Sequence, residues 1–267
     1  MSMPPRRRTT LSILALSVSL AIGAAVPAFA QDTPVAPLAA PANAAETALR
    51  ALYTQEWAWR QQEFVRVKVD GRWQSGDRLP SVTPEAWARR ADYWTRTLAA
   101  LDAIDADALG SEERINAAVF RATLQANVAN AQWRTYEAPF NSDSFFWGGI
   151  NPRQPFQTEA DWRRFIGRLA DVPRYFDEQI ANMERGLARG WSVPRASLDG
   201  RDDTIEPYVQ GGDDNPFLVT FDRIPRSIPE PVRTQLREEG RRVVRERTMP
   251  AYAKLLETLS RQSGIIG

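Results

Sequence analysis

Nine large apolar residues, from Trp162, Phe165, Ile166, Leu169 and Val172 through Phe176, Ile180 and Met183 to Leu187, keep an unbroken helical period. A stripe of that length commits the segment to one long helix and obliges the rest of the chain to cover it. Thr158 stands where a hydroxyl cap belongs, and Gly190 where the helix should stop. Pro173 lies inside the run and removes the hydrogen bond to the Leu169 carbonyl, so a kink is expected there rather than an end.

The same period recurs on both sides. Leu49, Leu52, Tyr53, Trp57 and Phe64 mark a first helix over about residues 46–63. Thr83-Pro84-Glu85 caps a second, on which Trp87, Ala91, Trp94, Leu98 and Leu101 repeat. Gly110-Ser111-Glu112-Glu113 opens a third that runs to about Trp133, with Ile115, Val119, Leu124 and Val128 expected on its inner side. A last helix starts near Ser227-Ile228-Pro229 and carries Val232, Leu236, Val243, Tyr252, Leu255, Leu256 and Leu259. Pro250 is expected to kink it at about Glu246. Residues 65–82, with Gly71, Gly76 and Pro80, read as an irregular connection, and residues 193–198 as a candidate short strand. The expected class is all-α, an irregular multi-helix bundle with kinked long helices and at most a minor short strand pair.

The amino-terminal segment has a different character. Arg6, Arg7 and Arg8 precede an apolar, uncharged run over residues 11–26, then Pro27 and the small-x-small triplet Ala28-Phe29-Ala30. That order describes a secretory signal cleaved after Ala30. As a helix the run would rise only ~24 Å, short of a ~30 Å hydrocarbon core, so no stable membrane anchor is expected after cleavage. Periplasmic or secreted placement by a Gram-negative-type signal follows, through the general or the twin-arginine route. Residues 31–45 are Pro/Ala-rich and read as a flexible leader, which leaves residues 46–267 for the helical domain.

Charge and composition remove whole classes of function. Without residues 1–30 the chain carries 31 basic and 33 acidic side chains, so no basic excess remains to attract nucleic acid or anionic membrane. Histidine and cysteine are both absent. The usual ligands for zinc, copper and haem iron are therefore missing, and so is any histidine base for a catalytic triad. No Gly-rich phosphate loop or nucleophile elbow occurs either.

Two loops remain of chemical interest. Asp199, Asp202, Asp203, Glu206, Asp213 and Asp214 crowd one of them, a pattern that suits a solvated polar loop or, less well for its spacing, calcium. Asn141, Asp143, Phe145, Phe146 and Trp147 combine polar groups with aromatics in a stretch rich in Pro and Gly. Such a segment either lines a cleft or plugs the core between helix pairs.

The run RRFIGRLADVPRYFDEQIANMERGLARGWSVPR, residues 163–195, resembles the amino-terminal half of the domain-of-unknown-function family 885. LYTQEWAWR at 52–60, ERINAAVF at 113–120 and NSD at 141–143 agree with it in order. The resemblance implies a mostly helical, exported enzyme of zinc-peptidase type, about twice as long. Its metal motif, a His-Glu pair followed by Gly-His-His, belongs to a carboxyl-terminal half that has no counterpart here.

No catalytic or metal residue carries over, and zinc is expected only in that other half. Asn141, Asp143, Phe145, Trp147 and Arg195 are left as candidate cleft lining for a peptide substrate. Three readings follow: a truncated, inactive copy; one chain of a split peptidase whose partner chain carries the zinc half; or a stand-alone periplasmic binding or scaffold protein. Under the first two, the last helix, with Leu255, Leu256 and Leu259, is expected to leave an apolar face uncovered.

Overall fold

A computed structural model describes residues 43–265 apart from 142 and 153–155. The expected signal peptide and most of the leader lie outside the described residues. Helix α1, Ala44–Glu63, begins two residues before the expected start, because the Asn43 side chain accepts the Glu46 N–H at 3.0 Å and caps it. Strands β1, Arg66–Val69, and β2, Arg72–Ser75, follow, then α2, Pro84–Asp102, and α3, Ser111–Gln132. The long helix α4, Glu159–Ala188, leads through the short α5, Glu206–Val209, and α6, Pro216–Thr220. Helix α7, Glu230–Val243, continues through a π-helical turn, Val244–Thr248, into α8, Met249–Ile265. The fold is mostly α-helical with one minor strand pair, as expected.

The strand pair falls where an irregular connection was expected. β1 and β2 pair antiparallel, with Val67 opposite Gln74 and Val69 opposite Arg72. Asp70 and Gly71 at the turn both have positive φ, 47° and 78°, which is the backbone a tight hairpin turn demands. Residues 193–198 form no strand; a 3-10 turn, Arg195–Ser197, stands there instead.

Apolar side chains gather in two clusters. Leu49, Trp94, Leu101, Leu109 and Leu124 join α1, α2 and α3. The larger cluster is built on α4, whose Trp162, Phe165, Leu169 and Phe176 meet Phe221, Leu236, Tyr252 and Leu255. Gly240 lets α7 close on it, since a Cβ there would lie 2.0 Å from the Phe221 ring.

The other face of α4 is polar and holds the chain between hairpin and α2. Arg168 donates to the Gly76 carbonyl at 2.7 Å, and Asp171 accepts the Leu79 N–H at 2.9 Å. Glu178 accepts the Val82 N–H at 2.7 Å, and Asn182 donates to the Val82 carbonyl at 2.7 Å. These side chains supply the partners that an irregular, part-buried backbone lacks within itself.

Two expectations about helix faces are corrected. Ile115 and Val119 lie outside, 65% and 62% exposed, rather than on the inner side of α3. The inner stripe passes instead through Glu113, Ala117, Phe120, Leu124 and Ala131. Glu113 is tolerated there because Arg50 pairs with it at 2.6 Å, so a buried charge shifts the face away from the residues that look most apolar. In the last helix Leu255 and Leu259 are buried and Leu256 packs against the core. The uncovered apolar face belongs to α3.

Candidate functional site

The 141–147 loop is closed by its own polar groups. Asn141 Oδ1 accepts the N–H of Asp143 at 2.8 Å and of Ser144 at 2.9 Å, while the Asn141 N–H donates to the Ser144 carbonyl. This side-chain-closed turn fixes where the aromatics enter. Asn141 and Asp143 are exposed, and Phe145 is half-buried. Trp147 is 1% exposed and packs against Phe140, Phe145 and Phe146. Its indole N–H donates to Thr204 Oγ1 at 3.1 Å, and its carbonyl accepts the Tyr252 hydroxyl at 2.7 Å. Trp147 therefore takes the core-plugging role, while Asn141, Asp143 and Phe145 keep surface positions beside it.

Phe145 also meets the acidic loop, with the Arg201 guanidinium 5.7 Å from its ring. A shallow pocket of about 350 Å³ opens nearby, lined by Leu198, Asp199, Arg201, Asp202, Leu259 and Ser260. Arg195 begins the turn Arg195–Ser197, and its side chain lies outside the described ones. The two loops singled out by composition thus form one neighbourhood.

That neighbourhood does not fit zinc. Among the described residues no three carboxylates converge in a group able to hold a metal ion. Asp171 and Glu178, the best-placed acids of α4, accept hydrogen bonds from Arg174 and from the Leu79 and Val82 backbone. With no imidazole or thiolate in the chain, the donor set for a zinc-activated water is missing.

A second concave surface escaped sequence reasoning. A groove of about 580 Å³ lies between the end of α1 and the hairpin, lined by Trp57, Arg60, Gln61, Phe64, Arg66, Arg72 and Trp73. Arg60 sits over the Trp57 ring at 5.3 Å and pairs with the buried Glu56 at 3.1 Å. Val65 closes the corner with φ of 53°, and its carbonyl accepts the Gly76 N–H at 2.8 Å. A Cβ at residue 76 would lie 2.5 Å from that carbonyl, so glycine is required. The hairpin was legible in Asp70-Gly71 between alternating residues; the glycines of 65–82 obscured it.

Among the described residues, fold and surface together define a mostly α-helical protein with a single hairpin and several shallow concavities. Residues 66–263 match the model of the family described as bacterial protein of unknown function (DUF885), and the chain belongs to that family. No curated protein matches it. The crystal structure of a candidate lipoprotein from Colwellia psychrerythraea has a similar fold, with a TM-score of 0.63 at 15% identity. The similarity covers 83% of this chain but 42% of that one, so this chain spans less than half the length of its structural neighbour.

Proposed function

We propose that this chain is a non-catalytic, cleft-forming helical scaffold of an exported zinc-peptidase-like assembly, with metal-bearing residues supplied by polypeptide outside this sequence. One observation carries the reading: the fold accounts for 83% of this chain and only 42% of a similar one. An uncovered face agrees with it, since Ile115 and Val119 on α3 and Trp133 just past its end are 62–74% exposed. Export rests on the expected signal over residues 1–30 and agrees with the neighbour's description as a candidate lipoprotein. No helix among the described residues is long and apolar enough to cross a membrane.

The test uses the mature chain. Elemental analysis after dialysis is expected to find no stoichiometric zinc, and peptide hydrolysis near neutral pH to stay at background. Hydrolysis by the purified chain that survives a chelator would overturn the proposal, because the chemistry would then come from its own carboxylates or hydroxyls. A second reading, a stand-alone periplasmic binding protein, is favoured by the burial of Leu255 and Leu259, which closes the core over α8. A monomer with a sharp, cooperative melt would favour that reading.

A further inference from the structure

We infer that the groove between α1 and the hairpin is a binding site for a small ligand joining a planar ring to a carboxylate or phosphate group. Three arginines line it and no acidic residue does. Glu56 lies behind Arg60, 2% exposed, and it also accepts the Trp94 indole N–H at 3.2 Å. Arg66 donates to the Trp73 carbonyl at 3.0 Å. Neither Arg66 nor Arg72 has a salt-bridge partner among the described residues. Guanidinium groups held without a carboxylate are suited to two-pronged binding of an oxyanion.

The walls supply the second half of the recognition. Trp57 is 48% exposed, and with Trp73 it offers flat apolar surface on which a ring can stack. Gln61 lines the groove beside them, and its carboxamide can donate or accept a hydrogen bond to a bound group. Val65, a β-branched residue with φ of 53°, holds the hairpin against the end of α1. Such strained residues cluster where a surface must keep a set geometry. The assignment does not rest on the scaffold reading, and its test involves no zinc or hydrolysis.

Calorimetry on the mature chain at low salt tests it with three probes: N-acetylphenylalanine, its uncharged amide, and adenosine monophosphate. The acid is expected to bind at least about tenfold tighter than the amide, and binding should weaken as salt rises. Arg72→Gln removes an exposed, unpaired side chain; it should weaken the acid about tenfold and leave the melting curve unchanged. Trp57→Ala should weaken acid and amide alike. Tighter binding of the nucleotide than of the acid would make a phosphate ester the natural source; the reverse would make it a carboxylate. Equal binding of acid and amide, no binding of any probe, or full binding by R72Q would overturn the inference.

Discussion

Asp171 is pulled in two directions. Burial would raise its pKa, but hydrogen bonds from Arg174 and the Leu79 N–H, with the charges of Arg174 and Arg78, hold it below its ordinary value. A carboxyl whose folded pKa is depressed contributes stability that is complete above its unfolded pKa and lost as pH falls through the folded one. The protein should therefore lose stability on the acid side of 3.8, the ordinary value for this group. Asp171→Asn removes the charge and leaves Arg174 with Glu178 alone. Urea melts of D171N should show a lower midpoint near neutrality and a flatter acid limb than the parent. Equal slopes on the acid limb would mean that this carboxyl does not drive the acid response.

At the scale of elements, two prolines answer each other. Pro173 has no N–H to give the Leu169 carbonyl, which is buried in the middle of α4. Pro250 likewise cannot serve Glu246, and the chain takes a π-helical turn, Val244–Thr248, at the place where the break was expected. Thr248 in that turn is fully buried, and its hydroxyl donates to the Leu169 carbonyl at 3.0 Å. One helix break supplies the partner the other removed. Thr248→Val keeps the shape but orphans the carbonyl, and should cost about 1–3 kcal/mol of stability. Pro173→Ala restores the backbone donor, so the cost of T248V should largely vanish in that background. A double-mutant cycle in urea measures the coupling, and strict additivity of the two changes would refute the pairing.

Among the described residues, α4 and the part of α8 up to Leu259 bury their apolar faces, while α3 leaves one open. Ile115 and Val119, together with Trp133 just beyond the helix end, leave large apolar side chains in water. Exposed patches of this kind promote association. The mature chain made alone should therefore self-associate through α3. Replacing Ile115, Val119 and Trp133 with serine should return it to monomer in light scattering without lowering the melting midpoint, since none of the three belongs to the buried cores. Association undiminished in the triple variant would move the interface elsewhere, and changes in α8 should then reduce it.

Helix positions and caps were legible because they depend on neighbours three or four residues away. Thr83 and Thr158 cap α2 and α4 as their spacing promised, and the α4 stripe from Trp162 to Met183 is buried along its length. The family was legible for a similar reason, since its longest signature is the amphipathic α4 itself. What stayed hidden depends on contacts distant in the chain. Glu113 turns α3 by pairing with Arg50, 63 residues away, and Thr248 reaches the Leu169 carbonyl across 79. Trp147 resolved into a core plug because Thr204 and Tyr252 meet its polar atoms, and the groove at Trp57 exists only once the hairpin folds back on α1. Local periodicity states which residues are apolar; the partner that buries a charge or completes a broken hydrogen bond decides which of them face inward.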